Sequence, residues 1–179
     1  MLKKSIVMDI DKIIIVRARQ STLDSLKRIV RYFNKKNSHR LYATTDPDTA
    51  LSWVKPDNNY IFVTGNHFQG IERNSELSKM ALFVRNTSPE SIIIGYSSTF
   101  GEVADKSLDF YFDLNDKSMY EDISSSISVK LNSMGLDVQN YRLGTFLSLP
   151  FEDLERERLI EILNHPVDWE QELKDLKRA

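Results

Sequence analysis

Between Lys12 and Gly135 the chain alternates five times between short apolar runs and helix-patterned stretches. This predicts an α/β domain: a five-stranded parallel sheet with helices on both faces. Two further observations agree. The runs are apolar throughout instead of alternating with polar residues, as strands covered on both sides should be. The composition, 41% hydrophobic and 28% charged over 179 residues, is that of a globular chain long enough for one domain. A helical extension follows Gly135.

The elements are justified in order. Lys12–Val16 (KIIIV) is a β-branched run too short for a helix. Leu23, Leu26, Val30 and Phe33 then fall at i, i+3, i+7 and i+10, the stripe of an amphipathic helix, with Ser21 and Asp24 at capping-box spacing. Asn34 to Asn37 ends it. Arg40–Thr44 is the second strand. Asp46-Pro47 opens a short helix through Val54, with Pro47 suited to the first turn. Tyr60–Thr64 (YIFVT) is the third strand, and residues 67–75 read as a loop. Leu77, Met80, Ala81 and Val84 form the next helical stripe. Ser91–Ile94, running into Gly95-Tyr96, is the fourth strand, Phe100–Lys106 a short helix and Asp109–Leu114 the fifth strand. Met119, Ile123, Ile127, Leu131 and Met134 mark a helix for which Gly135 is the natural stop. Residues 137–149 show no clear period. Two helices are predicted beyond them, Phe151–Leu163 after Pro150 and about Val167–Lys177 after Pro166. The predicted organisation is a leader over 1–11, the α/β domain over 12–135 and a C-terminal extension with two short helices over 136–179.

Composition excludes several chemistries. The chain has no Cys, hence no disulfide framework, thiolate metal site or cysteine nucleophile. Its three His, at 39, 67 and 165, are too few and scattered for a His-rich metal centre. No apolar run approaches the roughly 18 residues of a membrane helix, and a cytoplasmic protein without membrane partners is the expectation. The formal net charge of −2 conceals an asymmetry: residues 1–40 carry eleven Lys/Arg and three Asp/Glu, a balance of +8, and residues 150–179 carry five and nine. The basic end suits a solvated helix face, nucleic acid, an acidic partner or the chain's own acidic tail.

The stretch Lys12 to Val63 resembles the receiver domain of bacterial response regulators. It has a short apolar strand, a helix ending in a bulky pair (Tyr32-Phe33), a strand running into an Asp46-Pro47…Ala50-Leu51 helix, and then the third strand. Ile92–Ser97 is similar to the receivers' fourth strand and Leu108–Leu114 to their fifth. The resemblance implies a flavodoxin-like sheet with strand order 2-1-3-4-5. It also implies a site: an acidic pair after strand one for Mg²⁺, a phosphoacceptor Asp ending strand three, Thr/Ser ending strand four and Lys ending strand five. Here those positions fall at Arg17 and Ala18, at Thr64 (Gly65 if the register slips by one), at Ser97, and at Leu114 or Asp113. Only Ser97 fits. A guanidinium repels Mg²⁺, which needs hard oxygen ligands, and Thr64 cannot form an acyl phosphate.

The expectation is therefore a degenerate pseudo-receiver, without catalytic residues, metal or cofactor, that acts in two-component-type signalling through protein–protein contact. Arg17 either occupies the vacated metal position, holding one of the two receiver states, or is a solvent-facing loop residue. Tyr111 fits the receivers' switching aromatic or is a plain core or edge residue. Receivers meet partners through their fourth helix, fifth strand and fifth helix, which maps here onto Phe100–Lys106, Phe110–Leu114 (with Tyr111) and the outer side of Met119–Lys130. The two C-terminal helices either pack on this face in cis, extend it, or form a homodimer contact through Trp169, Leu173 and Leu176.

Two alternatives compete. Ser5–Met8 followed by Asp9-Ile10-Asp11 resembles the DxD strand end of haloacid-dehalogenase phosphatases, where the first Asp is nucleophile and the second acid/base. However, Lys12-Ile13 stand where that family has Gly-Thr, and Tyr96 and Gly101 stand where it has acidic metal ligands. His67, in the polar loop after strand three, is a possible acid/base group or an ordinary exposed side chain. Lys27, Arg28, Arg31, Lys35, Lys36 and Arg40 loosely resemble a nucleic-acid footprint, against which the pI of about 5.9 argues.

Overall fold

The computed structural model describes residues 9–65, 75–97, 107–113, 125–135 and 138–164. In chain order its elements are β1 (Lys12–Val16), α1 (Gln20–Phe33), α2 (Lys35–Ser38), β2 (Leu41–Thr44), α3 (Pro47–Ser52), β3 (Tyr60–Thr64), α4 (Ser75–Thr87), β4 (Ile92–Ser97), β5 (Phe110–Asp113), α5 (Ser125–Ser133), α6 (Val138–Leu147), a 3₁₀ turn (Phe151–Asp153) and α7 (Arg156–Asn164). The five strands form one parallel sheet in the order β2-β1-β3-β4-β5. That is the doubly wound, flavodoxin-like order shared by receiver domains.

Alternate side chains along each strand enter opposite layers. Ile13 and Ile15 of β1, with Ile61, Val63, Ile92 and Ile94, pack beneath Leu23, Leu26 and Val30 of α1. Ile14 and Val16, with Tyr60, Phe62 and Ile93, pack beneath α3 and α4 through Ala50, Met80, Ala81 and Val84. The apolar runs thus serve two cores at once. Pro47 begins α3 with Asp46 as N-cap, its carboxylate accepting from Thr49 N at 3.2 Å. Gly135, at φ +70°, follows the end of α5.

The structure corrects the sequence reading in three places. Ser21 does not cap α1: the helix begins at Gln20 with Arg19 as N-cap and no capping side chain, and Asp24 instead accepts from Gln20 Nε2 at 3.0 Å. Phe151–Leu163 is not one helix, because Leu154 is extended (φ −118°, ψ 141°) between the 3₁₀ turn and α7. The break separates two anchors. Glu152 reaches Lys36 and Arg40 at 2.8 and 2.7 Å, and Arg156 reaches Asp109 at 2.7 Å and the Glu90 carbonyl at 3.0 Å. Finally, residues 138–147, without visible period, form α6. The expected helices over 100–106 and 167–177 lie outside the described residues, as does the start of the helix expected from Met119.

α6 is the main neighbour of α1. Its Leu143, Phe146 and Leu147, together with Phe151, Leu159 and Leu163 further on, complete the α1-side core. Gly144 makes the approach possible: a Cβ there would lie 2.3 Å from Ile29 Cγ2 and 2.8 Å from Ile29 Cβ. Where α6 ends, its free carbonyls meet side-chain amides from the α1–α2 junction. Asn37 Nδ2 donates to Leu147 O (2.8 Å) and Leu149 O (2.7 Å), and Asn34 Nδ2 to Ser148 O (3.0 Å). Among the described residues no helix is long and apolar enough to cross a membrane.

Gly144→Ala is expected to destabilise the fold by about 1–3 kcal/mol through overpacking. In an Ile29→Ala background the same change should cost at least about 1 kcal/mol less, a coupling read from urea unfolding of the four proteins in the cycle. A second expectation concerns acid. Hydrogen bonding and charge from Lys36 and Arg40 hold the Glu152 carboxyl down from its ordinary 4.5 to about 2. A depressed carboxylate pKa gives stability that is present above about pH 4.5 and is lost as pH falls toward 2. The pair is exposed, so the loss is small, on the order of 0.5 kcal/mol. Glu152→Gln should remove this part of the pH dependence, as measured by thermal melts between pH 2 and 6.

Candidate functional site at the carboxyl edge of the sheet

Ligand sites in open parallel sheets lie at the carboxyl ends of the strands. Here the ladder aligns Val16 with Thr64 and Thr64 with Gly95, so β1, β3 and β4 deliver Arg17, Gly65 and Tyr96 to one place. The Arg17 backbone continues the ladder, its N–H donating to Thr44 O at 3.3 Å. Its side chain turns across the end of β3. A Cβ on Gly65 would lie 2.3 Å from Arg17 Nη1 and 3.2 Å from Cζ, so the guanidinium fills the space that any larger residue at 65 would need.

On its other side the guanidinium covers the Tyr96 ring, with Cζ 4.9 Å from the centroid. Cation–π contact of this kind contributes about 0.5–2 kcal/mol. No carboxylate among the described residues pairs with Arg17, and its Nε is buried without a hydrogen-bond partner. Burial pulls the guanidinium below its ordinary pKa, opposed by the nearby Tyr96 and Tyr111 and reinforced by Arg19. The Tyr96 hydroxyl in turn donates to Asn140 Oδ1 of α6. A continuous line of contacts therefore joins the carboxyl edge, Arg17, Tyr96 and α6.

The structure brings three of the degenerate positions, Arg17, Thr64 and Ser97, to this edge. Thr64 is fully buried, its hydroxyl 3.3 Å from Gly65 O and 3.7 Å from Met80 Sδ, so it faces the α4 layer. Ser97 ends β4 opposite Asp113. Ala18 is exposed beside Arg17. Leu114 lies outside the described residues, as do His67, Phe100, Trp169, Leu173 and Leu176. Phe110 and Tyr111 are half-buried on β5. Phe110 meets Phe112 edge-on at 4.8 Å. Tyr111 lies across Gly95, where a Cβ would fall 2.5 Å from its ring.

Sequence reasoning missed Tyr96 and Asn140 as parts of this site. Tyr96 reads as one more apolar strand residue, and Asn140 sits in a segment whose helical period is hidden. The DxD pair has a different position. Asp9 and Asp11 precede β1 at the opposite, amino edge, and Asp11 Oδ2 accepts from Asn59 N at 2.8 Å. Among the described residues no three His, Asp or Glu side chains are grouped to hold a metal ion.

No family model matches the chain, and no curated protein matches it. Solved structures are similar to it only at low identity and with TM-scores below 0.5. The signal receiver domain of an HD domain-containing protein from Pseudomonas fluorescens is 12% identical, with TM-score 0.45 over 59% of this chain and 82% of that one. A response regulator from Burkholderia pseudomallei, solved with a phosphorylated aspartic acid, is 14% identical, with TM-score 0.45 over 69% of this chain and 72% of that one. The structure of an adenylate cyclase from Rhodopirellula baltica is 16% identical, with TM-score 0.46 over 76% of this chain and 93% of that one. The receiver-like fold of this chain rests on its own strand order and layers.

Removing the Arg17 charge separates two opposing effects. A half-buried guanidinium with no carboxylate partner among the described residues carries a desolvation cost that one cation–π contact does not fully return. Arg17→Met, which keeps cover over Tyr96, is therefore expected to raise unfolding stability by about 1–2 kcal/mol. A lower denaturation midpoint for the variant would show that Arg17 is needed for stability instead.

Proposed function

We propose that this chain is a non-catalytic receiver-like regulatory domain that works by protein–protein contact, independent of aspartyl phosphorylation, in a signalling pathway of the bacterial cytoplasm. The observation that carries this reading is the position of Arg17. Its guanidinium lies against Gly65 at the edge where a phosphorylatable receiver holds its metal and acceptor. A fixed cation there takes the position of the metal, and it disfavours Mg²⁺. Proteins keep an unpaired, desolvated charge at a cost in stability mainly where it serves function.

The output surface in this reading is β5 with its neighbours, through Phe110 and Tyr111. Tyr111 sits two contacts from Arg17, by way of Gly95 and Tyr96. Phe100, Trp169, Leu173 and Leu176 would extend the surface or make a homodimer contact. The partner is a protein; the balance of charge outside residues 1–40 argues against nucleic acid as the main one.

Incubation with acetyl phosphate or beryllofluoride and Mg²⁺ is expected to leave the intact mass and the amide NMR spectrum unchanged. Phosphoryl uptake, or Mg²⁺-dependent hydrolysis of a generic phosphomonoester that Asp9→Asn abolishes, would overturn the reading, the second result in favour of the phosphatase alternative.

A further inference from the structure

On the outer side of α1, away from the carboxyl edge, a half-open cleft of about 550 Å³ is bordered by Lys27, Arg31, Lys35, Ser38, His39 and Leu41. Lys27 and Arg31 stand one helical turn apart, about 6 Å along α1, and Lys35 and His39 continue around α2. Lys27, Arg31 and Lys35 are exposed, and among the described residues none has an ion pair or side-chain hydrogen bond. Nearby cations are treated differently. Glu152 draws Lys36 and Arg40 into ion pairs at 2.8 and 2.7 Å, and so neutralises them outside the cleft lining. Three uncompensated cations remain around one concavity, on a chain whose net charge is −2.

We propose that this cleft binds a small ligand carrying two or three linked phosphate groups, of the nucleoside polyphosphate class. Three cations around one cleft match an anion of charge about three to four carried by linked phosphates, whereas a monocarboxylate supplies one charge and a monophosphate at most about two. The Arg31 fork suits bidentate phosphate contact, and the two lysines supply point charges. The half-buried Leu41 gives the organic part an apolar floor, and the volume lies within the usual range for small-molecule sites. A long polyanion fits less well. The cations surround a cleft instead of lining a ridge, and beyond residue 40 the chain carries a balance of −10, which an extended nucleic acid would meet.

The test is calorimetric titration of the full chain, without divalent cation, using sodium triphosphate, ATP and AMP as probes. Saturable one-to-one binding of triphosphate and ATP is expected, at least tenfold tighter than AMP. Lys27→Glu and Arg31→Glu should each weaken it at least tenfold with the thermal melt preserved. Lys55→Glu, an exposed change away from the cleft, should leave it within twofold, as should Arg17→Met, which makes the outcome independent of the carboxyl-edge reading. Absence of saturable binding at millimolar probe would overturn the proposal, as would equal weakening by Lys55→Glu. Affinity for single-stranded oligonucleotides that rises with their length and exceeds that for triphosphate would overturn it in favour of a nucleic-acid surface.

Discussion

Gly144 lies against Ile29, and most of the α1-side architecture depends on that contact. Because α6 has no side chain at this point, it sits directly on α1 and brings Leu143, Phe146 and Leu147 over the sheet. The same placement sets Asn140 beside the Tyr96 hydroxyl and presents the carboxyl end of α6 to the Asn34 and Asn37 amides. Burying each large apolar side chain contributes about 1.5–3 kcal/mol, so the α6–α7 segment is part of the core and not an appendage on a finished domain. A helix displaced outward by one methyl group would loosen the packing, the amide latch and the backing of the Tyr96 ring together.

Three largely enclosed guanidinium groups show how differently this fold treats the same charge. Arg85 and Arg156 grip opposite oxygens of Asp109, each at 2.7 Å. Arg85 adds the Pro89, Ser91 and Ser107 carbonyls at 2.7–3.0 Å, and the Ile93 N–H completes the Asp109 carboxylate at 2.8 Å. That cluster satisfies its charges and ties α4, β5 and α7 into one unit. Arg17 has an aromatic face and a glycine instead, and its Nε is left over. The contrast within one molecule supports the proposed role of Arg17, while Asp109 holds elements together. The line from Arg17 through Tyr96 to α6 also means that a change at the carboxyl edge has a packed route to the helix that completes the core.

Much of the fold was legible because its signals are local. Lys12–Val16 and Tyr60–Thr64 are apolar runs with no polar alternation, and Leu23, Leu26 and Val30 mark the buried face of α1 at helical spacing. Asp46-Pro47 is a helix start in two residues. α6 escaped for a physical reason. Its inward positions include Asn140 and Gly144, neither of which registers as apolar, yet one is buried to receive a hydroxyl and the other to admit Ile29. Ser21 misled for the converse reason: its spacing to Asp24 imitates a cap, but the chain enters the helix two residues earlier and Asp24 pairs with Gln20. At the site, Arg17 and Thr64 could be placed by counting from strand ends. Tyr96 and Asn140 belong to it only through packing between distant segments.

By itself the sequence determined the class of fold, the order of its strands and helices, and the residue types available at the carboxyl edge. Strand and helix periods are written in neighbouring residues, and the end of each strand follows from them. Tertiary structure alone decided that α6 flanks α1, that Glu152 neutralises Lys36 and Arg40 but leaves Lys27, Arg31 and Lys35 uncompensated, and that the Arg17 guanidinium lies between Gly65 and the Tyr96 ring. Each of these joins segments tens of residues apart. Contact, burial and the partner of a charge depend on distances in space, which no local pattern records.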